Sequence, residues 1–230
     1  MVSSVTEFAA TANASYFGDF ITSKAPPIFW MLVYLAITAF IVYCGVEKGI
    51  ERFSKIIMPA LFLLIVGISI FFFFFKYTDE NGSVRTGIQG LLVYIKPDFT
   101  GLTFGKFMGI LLDAMSQLFF SLSVSMGIMI TYGSYMKKDI RLESSVKQIE
   151  LFDTGIAFLA GLMVIPAVFS FSGGDESALS KGPGLMFITL PKVFNSIPGV
   201  MGPIIGALFF ILVLFAALTS SISLMETVVS

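Results

Sequence analysis

Residues 117–126 read Q-L-F-F-S-L-S-V-S-M, three serines inside an apolar run that extends over 107–135. A membrane-spanning helix needs about 20 mostly apolar residues. Ser121, Ser123 and Ser125 alternate with period two, which is wrong for one helix face and favours a short extended segment. Irregular backbone at membrane depth is tolerated only where it is buried in protein or lines a cavity. The stretch therefore predicts a broken membrane helix beside a binding site, a device of secondary transporters.

Composition places the chain in the membrane class. Apolar residues make up 56% and charged residues 13% of the sequence, and the mean hydropathy is +0.92, whereas soluble domains carry about 25% charged residues. A net charge of −1 gives no indication of nucleic-acid binding. A single cysteine, Cys44, and the lack of histidine argue against a disulfide framework and most transition-metal sites. A membrane-embedded enzyme is a weak alternative for the same reason.

The apolar segments predict an all-α integral membrane protein with about five spans. The predicted spans are roughly 28–44, 56–75, 107–135 (broken near 121–126), 151–171 and 203–225. Basic residues concentrate in the short loops after the first and third spans, which the positive-inside rule assigns to the cytoplasm: Lys48, Arg52, Lys55, Lys137, Lys138, Arg141 and Lys147. The N-terminus of the chain is therefore predicted outside, and its C-terminus in the cytoplasm.

This topology favours an internal piece of a larger transporter. An external N-terminus without a visible signal sequence indicates an odd number of preceding spans. The last span also ends abruptly at Ser230, without a polar tail or a basic anchor.

Four strings in collinear order identify a family: E-K-G-I-E-R-F-S-K-I-I-M-P (47–59), Q-x-F-F-S-L-S (117–123), T-Y-x-S-Y (131–135) and F-A-A-L-T-S-S (215–221). Together they resemble the neurotransmitter:sodium symporters, in particular the bacterial sodium-dependent amino-acid transporters, from about Pro27 to Met225. The resemblance implies part of a fold with two inverted five-helix repeats, at about helices four to eight of twelve. It also implies three partners: the lipid bilayer of the plasma membrane, an amino-acid substrate and the missing helices of the same transporter.

The resemblance further implies that the substrate lies at the helix break. Phe120 would close over the substrate from outside, and the side-chain pocket would be lined by Ser121, Ser123, Met126 and Leu224. Because Met126 is unbranched and adaptable, we expect a large hydrophobic or aromatic amino acid. Tyr135 resembles an inner-gate tyrosine, although an aromatic residue at a membrane interface is ordinarily an anchor. Without the resemblance, the favoured interpretation is that Phe120 and Met126 are ordinary core or lipid-facing residues.

The segment 182–199 is too short and too interrupted by proline and glycine to cross a membrane. By resemblance, it forms an external re-entrant hairpin that acts as a lid.

Two sodium sites are partly assembled in the sequence. The carbonyl of Ala216 and the hydroxyls of Thr219 and Ser220 fall at i, i+3 and i+4 on one helical face. Three neutral oxygens suit a small hard cation, and the resemblance assigns them to the family's second sodium site. The alternative is that the two hydroxyls only bond back to a carbonyl one turn earlier.

Asp153, with Ser121, corresponds by resemblance to the first sodium site. A carboxylate inside an apolar segment costs about 2.5–3.5 kcal/mol and normally has a partner, yet the predicted spans contain no basic residue. The alternative is a solvated carboxylate near Lys147. Chloride-dependent members carry a serine where this chain has Ala157, so Asp153 is predicted to supply the balancing charge without chloride.

The sequence thus predicts sodium-coupled amino-acid symport, with sodium ions as co-substrate and no organic cofactor. A second hypothesis is that the five-span chain does not transport and acts as an assembly partner or regulator of a full-length transporter.

Overall fold

A computed structural model describes residues 10, 13–74, 76–78, 84–96, 99–136, 141–171 and 182–230. Among these residues, four helices are long and apolar enough to cross a membrane. They are α2 (Pro26–Tyr43), α3 (Arg52–Phe74), α7 (Leu142–Phe171) and α9 (Met201–Val229). Lys137 and Lys138, and Phe75 at the end of the second predicted span, lie outside the described residues.

The remaining predicted span is the interrupted one. Its first half is α5 (Phe104–Ser121), followed by a 3₁₀ turn (Val124–Met126) and a short helix, α6 (Ile128–Ser134). α5 is not apolar enough to count as a membrane span by itself, because Lys106, Asp113 and Gln117 lower its mean hydropathy. The structure therefore contains a discontinuous membrane segment at the position of the three serines.

Several short elements among the described residues were not predicted from the sequence. A helix, α1 (Ala14–Thr22), precedes the first span, and its N-terminus is capped by the side chain of Asn13. The predicted loop 76–106 contains a two-stranded antiparallel ribbon, β1 (Lys76–Thr78) with β2 (Val84–Thr86), and a helix, α4 (Gly87–Ile95).

α4 packs closely on α7 because each helix has a glycine, without a side chain, where the two cross. A Cβ atom on Gly90 would lie 2.6 Å from the Cα of Pro166, and one on Gly161 would lie 2.4 Å from the Tyr94 hydroxyl. Glycine at these two positions therefore lets the two backbones approach.

A core of apolar side chains joins α3 and α7 to the N-terminal half of α9 and to the segment 182–199. That segment contains a wide helical turn (Leu185–Thr189) and α8 (Leu190–Asn195). Phe194 on α8 is completely buried, and its ring lies 5.3 Å from that of Phe209 and 6.2 Å from that of Phe72. The hairpin is therefore part of the packed core.

Candidate functional site

The break in the third span contains two residues with a left-handed backbone conformation, Ser123 and Gly127. α5 ends at Ser121, the backbone turns at Ser123 (φ 55°) and Gly127 (φ 76°), and α6 begins at Ile128. Glycine adopts positive φ without a steric penalty, whereas serine does so at a cost. Positive φ at Ser123 is therefore a local strain that the surrounding contacts must hold.

The prediction of an extended segment at the three serines was wrong in its local geometry. The backbone N–H of Ser123 donates to the carbonyl of Phe120 (3.0 Å), and that of Met126 donates to the carbonyl of Ser123 (3.3 Å). A tight turn satisfies some of its own backbone groups, while an isolated extended segment satisfies none. Because unsatisfied backbone groups are expensive away from water, the turn is the better solution at membrane depth.

A cavity of about 500 Å³ lies beside the break, between α3, the end of α5, the 3₁₀ turn and α9. It brings together the five residues expected to bind substrate, of which Ser121 is also an expected cation ligand, with two further expected cation ligands: Phe120, Ser121, Ser123, Met126, Leu224, Thr219 and Ser220. Its wall also contains Gln117, Ser54 and Ser223, which the sequence reasoning did not single out. The cavity is thus mixed in character, with apolar side chains and several hydroxyls.

The oxygens of Ala216, Thr219 and Ser220 converge on one face of α9. The Thr219 hydroxyl donates to the Ala216 carbonyl at 2.9 Å, and the Ser220 hydroxyl donates to the same carbonyl at 3.2 Å. Both hydroxyls therefore bond back to the helix, as the alternative reading of the sequence expected. Their lone pairs remain beside the carbonyl oxygen, so rotation of the two hydroxyl protons would present three oxygens to a cation.

Asp153 on α7 is joined to the end of α5. The Ser121 hydroxyl donates to Oδ1 of Asp153 at 2.6 Å, and Asp153 is half-buried. Lys147, the basic residue considered as a neighbour of Asp153, forms an ion pair at 2.7 Å with Glu143. Glu143 precedes Lys147 by one turn at the exposed start of α7. The hydroxyl proton of Ser121 points at the Asp153 carboxylate. The lone pairs of the Ser121 oxygen are therefore free for another partner.

Tyr135 lies away from the cavity wall and reaches α9 beyond it. Its hydroxyl donates to Oε1 of Glu226 at 2.7 Å, and Glu226 is 7% exposed. Next to it, the Tyr132 hydroxyl lies 3.1 Å from that of Ser223. Because Ser223 donates its own proton to the Thr219 carbonyl, Tyr132 is the donor. α6 is therefore held to α9 by two tyrosine hydroxyls.

Glu226 is the functional candidate that sequence reasoning missed most clearly. The predicted span ends at 225, one residue before this carboxylate, whereas α9 continues to Val229. The sequence feature that could have identified it is an acidic residue directly after a long apolar run. A carboxylate buried there requires a partner.

An interrupted membrane helix that lines a mixed polar and apolar cavity defines the class of membrane transporters. A model of the sodium:neurotransmitter symporter family matches residues 3–230. The chain therefore belongs to this family, which is one of transporters rather than enzymes. It is a multi-pass membrane protein.

Named relatives agree with this assignment. The chain is 37% identical to the uncharacterized sodium-dependent transporter YhdH of Bacillus subtilis, over 93% of this chain and 43% of the relative. It is 28% identical to the human sodium- and chloride-dependent creatine transporter 1, over 83% of this chain and 28% of that protein. The chain thus spans less than half the length of these relatives.

Among solved structures, that of MhsT in complex with L-phenylalanine matches with a TM-score of 0.74 and 38% identity, over 97% of this chain and 48% of MhsT. This match confirms the predicted fold class, an all-α membrane protein that forms part of the inverted-repeat transporter fold.

Proposed function

We propose that the chain forms part of a sodium-coupled amino-acid symporter of the plasma membrane and that the cavity at the helix break binds the amino acid. The observation that carries this proposal is the cavity of about 500 Å³ whose wall contains the break and the hydroxyls of α9 together. Sites for small molecules have volumes of about 300–1,000 Å³ and combine apolar walls with a few polar groups.

The ammonium group of a zwitterionic amino acid matches one end of the break. The last carbonyls of a helix carry partial negative charge and its first N–H groups partial positive charge. The end of α5 at Ser121 therefore suits the ammonium group, whereas the contacts to the carboxylate are proposed to come from helices outside these 230 residues. This arrangement keeps the polar substrate groups bonded at membrane depth, where water is absent.

The side chain of the substrate is proposed to be large and hydrophobic or aromatic. Phe120, Met126 and Leu224 supply the apolar part of the wall. Methionine adapts its shape to a ligand. The name of the MhsT structure, a complex with L-phenylalanine, supports this size class.

Two sodium ions are proposed as co-substrates. One would be held by Ala216, Thr219 and Ser220, and the other by Ser121 and Asp153. The hydrogen bond from Ser121 to Asp153 turns the serine lone pairs away from the carboxylate and leaves them free for a cation. A cation would also provide the partner that a carboxylate in an apolar segment requires.

We propose that the remaining walls of the site come from helices outside these 230 residues. The chain spans less than half of its relatives, and every residue of α5, all of them described, is exposed. An apolar helix that also carries Asp113 and Gln117 is expected to pack against other helices. The 230 residues alone are therefore expected not to take up amino acids, and sodium-dependent uptake into liposomes by this chain alone would contradict that expectation.

The test is the sodium dependence of uptake by the complete transporter that carries these residues. Replacing Thr219 and Ser220 with alanine is expected to raise the sodium concentration for half-maximal uptake about tenfold, or about 1.4 kcal/mol. Ser196→Ala is the matched control, because the Ser196 hydroxyl also bonds back to its own helix, to Lys192, far from the cavity. An unchanged sodium dependence in the double variant would show that the two hydroxyls only bond the helix backbone.

A further inference from the structure

A tyrosine on α2 contacts the helix of the proposed sodium site from behind. The hydroxyl oxygens of Tyr34 and Ser221 are 2.5 Å apart. Ser221 donates its own proton to the Ala217 carbonyl at 2.9 Å. Since a serine hydroxyl has one proton, Tyr34 is the donor and Ser221 the acceptor in this interhelical hydrogen bond.

The two faces of α9 are clearly divided at this level. Thr219, Ser220 and Leu224 line the cavity. Ser221 lies on the other side, because successive residues turn by about 100° around a helix axis. Beside it, Ile222 is 2% exposed and packs with Val42 of α2. One face of α9 thus carries the proposed ligands, while the opposite face rests on α2.

The two buried residues of α2, Thr38 and Val42, follow Tyr34 along the helix. Thr38, one turn after Tyr34, is completely buried and donates its hydroxyl proton to the Tyr34 carbonyl at 3.0 Å. Apolar contacts such as that of Val42 with Ile222 hold helices together but are non-directional. A hydrogen bond has a preferred distance and angle. The contact of Tyr34 with Ser221 can therefore define the rotation of α9 about its axis, which the apolar packing leaves loosely defined.

The rotation of α9 matters because cation ligation is sensitive to small displacements. A rotation of about 20° moves an atom about 5 Å from the helix axis by roughly 1.7 Å. Metal–ligand distances are held within about 0.2 Å. Even a small rotation would thus remove Thr219 and Ser220 from a shared cation.

We infer that Tyr34 is a positioning residue for the sodium site on α9, acting through Ser221 to keep the hydroxyls of Thr219 and Ser220 turned to the cavity. Tyr34 itself does not touch the cation. The inference rests on the proposed function, because it requires that these two hydroxyls bind sodium.

The experiment is sodium-dependent uptake by the complete transporter carrying Tyr34→Phe, which keeps the ring and removes only the donor. We expect the sodium concentration for half-maximal uptake to rise about fivefold, with the maximal rate at saturating sodium preserved. Ser221→Ala removes the acceptor and is expected to give the same shift, and the double variant no further shift, as for two partners in one interaction. Tyr43→Phe is the matched control, since Tyr43 is on the same helix and 89% exposed.

Two outcomes would overturn the inference. If Tyr34→Phe and Ser221→Ala lower the melting temperature but leave the sodium dependence unchanged, while the Thr219 and Ser220 variant shifts it, the contact is only structural and the sodium site stands. If the Thr219 and Ser220 variant also leaves the sodium dependence unchanged, the proposed sodium site itself fails, and the role of Tyr34 fails with it.

Discussion

The hairpin at 182–199 and the break between α5 and α6 are both irregular segments in an apolar chain, but they are held in opposite ways. The hairpin buries Leu190, Val193 and Phe194 in the core, each at most 3% exposed. The break faces a cavity, and its neighbours hold it through hydrogen bonds from Ser121, Tyr132 and Tyr135. Irregular backbone in a membrane protein is thus either packed into protein or placed at a cavity, and the described part of this chain illustrates both.

The largest effect is expected in the packed hairpin. Phe194→Ala should lower the free energy of unfolding by about 3–5 kcal/mol, because a fully buried ring leaves a cavity behind. Denaturation of the purified complete transporter in detergent would measure the change. Phe99→Ala, outside α5 at a position that is 70% exposed, is the control and should change stability little. Similar losses for both variants would mean that the hairpin is not held by burial.

The next effect is expected at the break, in transport rather than stability. Asp153→Asn should reduce uptake without chloride about 10- to 100-fold, or about 1.4–2.7 kcal/mol, because sodium loses its balancing charge in a poorly hydrated site. Adding Ala157→Ser should restore part of the uptake only when chloride is present, because the new hydroxyl lies one turn away on the same face. Of the two relatives compared above, the creatine transporter, which is named as chloride-dependent, has the lower sequence identity to this chain. Normal chloride-free uptake by Asp153→Asn would favour a merely solvated carboxylate.

A smaller effect is expected from the backbone of the break. Gly127→Ala should destabilise the protein by about 1–2 kcal/mol, since alanine is strained at φ 76° and its Cβ would lie 3.2 Å from Cγ2 of Thr227. Gly133→Ala, in α6 with open space around it, should instead be neutral or stabilising by up to about 1 kcal/mol. The two melting temperatures separate the strain at the break from the ordinary effect of glycine in a helix.

The smallest effect is expected outside both segments. Glu143→Gln should change stability by less than about 0.5 kcal/mol, because the side chains of Glu143 and Lys147 are 81% and 71% exposed. Uptake should also be unchanged. A clear loss of uptake would contradict this expectation and show that the exposed pair takes part in transport.

The positions of the long apolar helices along the chain were largely predictable because they depend on local composition. The apolar runs indicated the helices α2, α3, α7 and α9, and the serines indicated the break. Their ends were less predictable: α7 begins at Leu142 instead of 151 and α9 ends at Val229 instead of 225. Polar residues at a helix end keep the helical hydrogen bonds but lower the local hydropathy. A span predicted from hydropathy therefore ends before the helix does.

The helices α1 and α4 escaped prediction because short helices are stabilised by tertiary contacts more than by their own propensity. α4 depends on α7, through Gly90 against Pro166 and Tyr94 against Phe158. α1 is joined to the hairpin by the stacked rings of Phe17 and Phe187, 5.0 Å apart. Neither partner is near in sequence.

The sequence by itself determined that this protein lies in a membrane, that its third span is broken at the serines, and which hydroxyls and carboxylate are candidates for ion binding. Hydrophobicity and residue chemistry are local properties, and they are readable from short strings. Only the tertiary structure decided that Tyr135 bonds to Glu226 and Tyr34 to Ser221, and that the Ser121 hydroxyl, which the family resemblance placed beside Asp153, donates to its Oδ1. Each of these hydrogen bonds joins two helices, and its distance and angle depend on how those helices pack, which no local pattern specifies.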